Sequence, residues 1–233
     1  MSSKEKKTAK KTAKKTAPKI EPKKEKDVIF DEIEKFEDLD IDENIIRGVF
    51  SYGFEKPSPI QKKAIRPVLS GRDVIAQAQS GTGKTATFTL GVLGRINVAE
   101  NKTQALILAH TRELALQINN VFRQIGNYMD VVFNLSIKGI STSENIEALC
   151  KKPRKPHIVI GTPGRILDMI NKRALQIDTL KMLVIDEADE MLSEGFIDQI
   201  YNIMRTMPKK MQVCLFSATM PVNFFDVTAK FMN

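Results

Sequence analysis

The residues best equipped for chemistry lie in one stretch, Asp73-Val-Ile-Ala-Gln-Ala-Gln-Ser-Gly-Thr-Gly-Lys-Thr85. A short apolar run leads into a small, glycine-containing turn that ends on Lys84 and Thr85, and a helix-like segment follows over 86–94. A phosphate loop needs strand, turn and helix in that order. Gly81 and Gly83 let the backbone bend until successive N–H groups face an anion. The N-terminus of the next helix adds a favourable dipole. Lys84 can reach terminal phosphates, and the Thr85 hydroxyl can ligate Mg²⁺. The general pattern G-x-x-x-x-G-K-[ST] lacks its first glycine, because Ala78 stands there. The competing reading is a plain glycine turn; a strand and a helix placed where the mechanism needs them favour the phosphate loop.

A second pair, Asp186-Glu187, follows the apolar run 182–185, about 100 residues after Lys84. On its own it reads as a charged helix N-terminus. Beside a phosphate loop it reads as the other half of a nucleotide-hydrolysis site. Asp186 would hold a Mg²⁺ shell, and Glu187 would orient and deprotonate the attacking water.

Such residues must be held by a scaffold, and the chain supplies a regular one. Apolar strand-like runs at 105–109, 131–137, 157–161, 182–185 and 212–216 alternate with helix-like segments at 113–128, near 143–149, and over 164–171, 187–192 (with a second helix through Met207) and 222–232. Upstream, Asp42 is a plausible cap for an amphipathic helix that ends at Gly53. Ser58 then caps a helix with Pro59 at its first position. Unbroken apolar strands separated by helices argue for an α/β fold with a parallel sheet covered on both faces. Ligands of such sheets bind beyond the C-terminal ends of the strands. Five polar clusters sit there: 79–85, 110–113, 162–165, 186–189 and 217–219.

The net charge of +8 points less clearly to nucleic acid than it first suggests. Residues 1–26 hold 11 of the 36 basic and 3 of the 28 acidic residues, so they account for the whole excess and leave 27–233 balanced. That Lys-Lys-Thr-Ala-repeating segment has few apolar groups to offset ordering entropy and is expected to be a disordered tail. It reads as a solubilising tail, an RNA attractor through counterion release, or a nuclear address. No apolar run approaches the roughly 20 residues of a membrane span. The two cysteines, Cys150 and Cys214, show no metal-ligand spacing and read as reduced thiols in an intracellular protein.

Taken together, the motifs resemble those of the DEAD-box ATP-dependent RNA helicases, over roughly residues 36–233. Asp186-Glu-Ala-Asp189 matches the family signature, and Gly53-Phe-Glu-Lys-Pro-Ser-Pro-Ile-Gln61 is similar to its Q motif, with Phe36 as the upstream aromatic. Ala78–Thr85 resembles motif I, including the alanine. Thr111-Arg-Glu-Leu-Ala115, Thr162-Pro-Gly-Arg165 and Ser217-Ala-Thr219 resemble motifs Ia, Ib and III. The wording is closest to the translation initiation factor 4A branch.

The resemblance implies a RecA-like sheet of the P-loop NTPase type, with ATP and Mg²⁺ as cofactors. It implies a nucleotide site made by Phe36, Phe54, Lys56, Pro59, Gln61, Ala78, Gln79, Ser80, Gly81, Thr82, Gly83, Lys84 and Thr85. In that site Gln61 would read adenine and Phe36 would stack on the base. Lys84, Asp186 and Glu187 would be catalytic, with Thr85 and Asp186 holding the metal largely through water. Asp189, Ser217 and Thr219 would couple the nucleotide to RNA. Arg112, Glu113, Gly139, Thr162, Gly164 and Arg165 would hold the backbone of single-stranded RNA or a short duplex. The resemblance further implies a scaffold protein of the initiation-factor type as partner, a cytoplasmic location (with a nuclear one left open by the tail) and no membrane; nothing demands more than a monomer.

Two positions depart from the family pattern. His110 stands where proline is usual, and reads as a packed or solvated rim residue or as an added titratable group. Ile140 replaces the second glycine after Gly139, and its side chain could restrict backbone approach to RNA. Because the sequence ends at Asn233, shortly after Thr219, the expectation is a first helicase domain over 27–233 with the second domain absent from this chain. Alone it is expected to bind nucleotide and RNA weakly and to be nearly inactive. Two other functions stay open: a nucleotide-switched binding module that never unwinds, and a P-loop ATPase of DNA metabolism.

Overall fold

The computed structural model describes residues 30–193, 195–221 and 224–232. The tail expected over 1–26 lies outside the described residues.

Six strands build the sheet: β1 (Val74–Gln77), β2 (Ala105–Leu108), β3 (Phe133–Ser136), β4 (Ile158–Gly161), β5 (Met182–Asp186) and β6 (Gln212–Ser217). They lie in the order β1-β6-β5-β2-β4-β3, with every pairing parallel. Period-two alternation sends successive side chains to opposite faces. Here both faces are apolar, so the strands read as continuous hydrophobic runs. Ala105, Ile107, Met182, Val184, Cys214 and Phe216 enter one core layer; Leu106, Leu108, Leu183, Ile185, Val213 and Leu215 enter the other. Burial pushes the Cys214 thiol pKa up, whereas Cys150 is exposed.

The first layer is covered by α1 (Glu43–Tyr52), α2 (Pro59–Ser70), α3 (Lys84–Arg95) and α4 (Arg112–Ile125). After β3 comes α5 (Thr142–Ile146). The second layer lies under α6 (Pro163–Asn171), α7 (Ala188–Met191), α8 (Ile197–Met204) and α9 (Phe224–Thr228). Local chemistry sets the boundaries. Asp42 accepts a hydrogen bond from the Asn44 N–H at 2.8 Å, and Gly53 closes α1 in the left-handed region. At α2 the Ser58 N–H donates to Gln61 Oε1, the return half of a capping box, with Pro59 in the first turn. The Thr111 hydroxyl accepts from the Leu114 N–H at the start of α4.

Several elements are shorter than the apolar pattern suggests. The helix expected through Tyr128 ends at Ile125, and Gly126–Tyr128 tightens into a 3-10 turn. The segment after Ile146 widens into a π turn over Glu147–Lys151. The helix expected through Met207 stops at Met204, close before Pro208, whose ring cannot continue it. Of the helix expected over 222–232, α9 spans Phe224–Thr228, and residues 222 and 223 lie outside the described residues.

Candidate active site

All five polar clusters emerge at the C-terminal ends of strands. The sheet order places the β1, β6 and β5 ends side by side, with β2 next. The phosphate loop therefore faces Asp186 across one intervening strand, although about 100 residues separate them. A cavity of about 640 Å³ opens there, lined by Ser80, Gly81, Gly83, Lys84, Thr85, Asp186 and Glu187 on one side and by Tyr52 and Phe54 on another. A second cleft of about 580 Å³ lies by Tyr201, Met204 and Phe231, and among the described residues no carboxylate lines it.

The loop is built to receive an anion. Gly81 and Gly83 hold φ of 79° and 102°, the left-handed region that side chains rarely adopt. At Gly83 a Cβ would also lie 2.6 Å from the Gln61 amide nitrogen, so that position has no room for one. Lys84 opens α3. It is only 7% exposed, and its buried Nζ has no hydrogen-bond partner among the described residues. A buried ammonium left unpaired is costly unless a ligand supplies the counter-charge. Thr85 lies on the cavity wall. Asp186 is 3% exposed, and burial pushes its carboxyl pKa up to about 6, partly opposed by the Lys84 charge. This donor set (an unpartnered lysine amine, a hydroxyl and a buried carboxylate) fits a Mg²⁺-bound polyphosphate.

Glu187 sits at φ 50° and ψ 55°, a left-handed conformation costing a non-glycine residue about 1–3 kcal/mol. Its carboxylate Oε2 lies 3.0 Å from His110 Nδ1. Sequence reasoning missed this pair, because the adjacency of the β2 and β5 ends is a property of strand order.

The expected coupling residues do meet. Asp189 Oδ2 accepts from the Thr219 hydroxyl at 2.7 Å and from the Thr219 N–H at 3.0 Å, and the Asp189 N–H donates to Ser217 Oγ at 3.3 Å. Burial raises the Asp189 carboxyl pKa, but the hydrogen bonds from the Thr219 and Ser217 hydroxyls and from neighbouring backbone N–H groups together keep it below the usual carboxylate range. The Ala78 N–H donates to the Ser217 carbonyl at 3.0 Å, so the phosphate loop and the Ser217-Ala-Thr219 segment share a backbone bond.

One expectation for the base pocket, Phe36, is corrected, and Gln61 is found with other partners in this structure. Phe36, expected to stack on a base, is fully buried, with its centroid 6.3 Å from the Phe54 ring and 6.5 Å from the Phe50 ring. It has no free ring face, because it anchors the segment before α1 on the core. The aromatic surface open to the cavity is Tyr52 with Phe54, their centroids 4.8 Å apart. Tyr52 was not foreseen; its signal was an aromatic immediately before the Gly53 cap. Gln61, expected to present its amide to adenine, is 2% exposed. Its Oε1 accepts from the Ser58 N–H at 2.8 Å, and its Nε2 donates to the Gly83 carbonyl at 3.4 Å. In this state Gln61 ties α2 to the phosphate loop. Lys56 and Pro59 are exposed on the same segment. Gln79, Ser80 and Thr82 complete the loop, with the Thr82 hydroxyl donating to the Gln79 carbonyl.

The residues expected to hold RNA gather on the β2, β4 and β3 side. Arg112 packs against Gly139, whose φ of 102° lies in the left-handed region that side chains rarely adopt; a Cβ there would lie 2.4 Å from the exposed guanidinium, which would have to move aside. Arg165 Nη1 donates to the Thr142 hydroxyl at 3.1 Å and to Asn145 Oδ1 at 3.4 Å. Thr162 stands at the N-cap of α6, Gly164 is exposed in its first turn, and Glu113 is exposed on α4. Ile140 turns its side chain onto the first core layer, so it does not stand between the backbone and an incoming strand.

A parallel sheet with this rim defines a RecA-like P-loop NTPase. The comparisons with known proteins carry the assignment further. The model of the family "DEAD/DEAH box helicase" matches residues 58–227, and the chain belongs to that family. It is 58% identical over 201 residues to the ATP-dependent RNA helicase eIF4A of Candida albicans, covering 86% of this chain and 50% of that protein. It is 50% identical over 205 residues to the same-named protein of Chaetomium globosum, covering 88% and 51%. Among solved structures it resembles a DEAD box protein from the hyperthermophile Methanococcus jannaschii, with TM-score 0.81, 36% identity and coverage of 87% and 55%. It also resembles S. cerevisiae Dbp5 bound to RNA and ADP BeF3, with TM-score 0.78, 34% identity and coverage of 86% and 50%. The chain spans about half the length of the curated relatives it matches.

Proposed function

We propose that this chain is the ATP- and Mg²⁺-binding domain of an RNA-dependent ATPase that unwinds short RNA duplexes, acting in translation initiation. The observation that carries the reading is the buried, unpartnered Lys84 amine facing the buried Asp186 carboxylate across a phosphate loop. Mg–ATP bound there supplies the phosphoanhydride to be cleaved and the charge that makes it electrophilic. The Gly81–Thr85 backbone and Lys84 hold the phosphates. Thr85 and Asp186 hold the metal shell, and Glu187 orients the attacking water and takes its proton. Tyr52 and Phe54 give the base an aromatic wall. Adenine readout by Gln61 requires exchanging its long contact with the Gly83 carbonyl for the base edge.

Asp189, Thr219 and Ser217 link this chemistry to the rim where Arg112, Gly139, Thr162, Gly164 and Arg165 meet RNA through its backbone. The eIF4A-named relatives suggest the pathway; a scaffold partner of the initiation-factor type and a cytoplasmic location are part of the proposal. The basic tail suits non-specific RNA attraction, with nuclear import as the alternative. The test is phosphate release from ATP by the 233-residue chain, with and without single-stranded RNA, beside Lys84→Ala. We expect nucleotide binding that is lost in Lys84→Ala and turnover that stays very slow with RNA, because charge on the transferring phosphate is also stabilised by an arginine from a second domain. Brisk RNA-stimulated turnover would contradict the need for that domain, and preference for GTP or for DNA would overturn the reading itself.

A further inference from the structure

We propose that His110 is a positioning residue for Glu187, presenting a protonated ring Nδ1 to the Glu187 carboxylate. β2 and β5 are neighbours with Leu108 opposite Ile185. Two residues beyond each lie His110 and Glu187, so the register itself brings the imidazole to the carboxylate. Nδ1 and Oε2 are 3.0 Å apart. Nδ1 is shut off from solvent and has no formed hydrogen bond among the described residues; the Glu187 carboxylate is the charged group it approaches. A lone pair on Nδ1 at that distance would repel the carboxylate in a partly dehydrated site, and only the N–H form makes the approach favourable. Asp186 and Lys84 are the other charged groups facing this corner.

The left-handed Glu187 backbone fixes where its side chain starts; His110 then limits where it points. Proline or an aliphatic residue at this place would leave the carboxylate to rotate toward water.

The second histidine of the chain provides an internal contrast. His157 is buried, and its Nδ1 accepts from the Val132 N–H at 3.0 Å, so its proton belongs on Nε2. The two rings are therefore expected in opposite tautomers.

The test is long-range ¹H–¹⁵N NMR of the ¹⁵N-labelled chain at about pH 8, where free imidazole is neutral. One ring should show a protonated Nδ1, and the other a protonated Nε2. Glu187→Ala should move the first toward the Nε2–H form and leave the second unchanged, which also reports that the variant is folded. Two Nε2–H rings, or a first ring indifferent to Glu187→Ala, would overturn the proposal.

The catalytic half of the inference rests on Glu187 acting on the attacking water, and single-turnover hydrolysis of radiolabelled ATP with the chain in excess, followed long enough to resolve the slow rate expected of it, separates the two claims. His110→Phe should slow phosphate formation about tenfold with nucleotide affinity unchanged, and His110→Asn, which keeps an N–H donor, should recover part of the rate. An unchanged rate in His110→Phe would overturn the positioning role. An unchanged rate in Glu187→Ala would instead overturn the role of Glu187 and leave the tautomer result standing.

Discussion

The two halves of the rim handle their polar groups in opposite ways. On the nucleotide half, Lys84 Nζ is buried with no hydrogen-bond partner among the described residues, the Asp186 carboxyl pKa is raised by burial, and Glu187 holds a strained backbone. On the RNA half, Arg112 packs on Gly139, and Arg165 is bonded to Thr142 and Asn145. The first region stores electrostatic cost that a ligand relieves on arrival. In the second, Arg165 already has partners, so an RNA strand seated there as proposed would exchange those bonds for its own and gain less. On the proposed reading, a domain arranged this way is expected to bind nucleotide through preorganisation and RNA only modestly.

Breaking the contrast at its strongest point should have the largest effect. Lys84→Ala is expected to weaken Mg–nucleotide binding about 100-fold, the worth of one hydrogen bond to a charged group of about 3 kcal/mol. Its thermal stability should change little, because losing the amine's favourable field at Asp186 is offset by removing a buried charge that makes no hydrogen bond among the described residues; calorimetry and thermal melts measure both.

Asp186→Asn probes the same stored cost through pH. The folded carboxyl titrates at about 6 against an ordinary 3.8, so the unfolded state releases its proton first as pH rises. Burying the charge therefore costs stability that is absent below about pH 4 and fully present above about pH 6, amounting to about 3 kcal/mol. Asp186→Asn should stabilise the ligand-free domain by up to that amount at neutral pH, with the gain vanishing toward pH 4, while Mg²⁺-dependent nucleotide binding is lost. Denaturant melts across that range check the sign.

Gly83→Ala forces a Cβ against Gln61 at positive φ and should destabilise the domain by about 1–3 kcal/mol, with nucleotide affinity falling as well. On the linking segment, Thr219→Val removes the hydroxyl bond to Asp189 and should cost about 1 kcal/mol of stability. The smallest effect is expected from Arg165→Ala. RNA affinity should drop severalfold, with a shallower salt dependence, and nucleotide binding should not change. A loss as large as that of Lys84→Ala would erase the contrast.

Much of this arrangement is legible in the sequence because it is local. The phosphate loop, the Asp42 and Ser58 caps and the strand-end clusters each depend on residues a few positions apart, and apolar runs buried on both faces announce a parallel sheet. What the sequence conceals is set by strand order and by burial. The His110–Glu187 contact needs β2 beside β5. The partners of Arg165 come from α5, which follows a different strand. Phe36 matches a motif position, yet its burial is decided by how the segment before α1 packs on Phe50 and Phe54. Gln61 looks like an open amide because a capping box uses its side chain without altering its identity.

The most direct test of the central claim is a calorimetric titration of the chain with Mg–ADP and Mg–ATP, beside Lys84→Ala and with Mg–GTP as control. A preorganised adenine-nucleotide site predicts one-to-one binding of both adenine nucleotides, lost in Lys84→Ala and absent with Mg–GTP. Binding that survives Lys84→Ala, or that is equal for guanine, would show that the buried amine and its loop are not what holds the nucleotide.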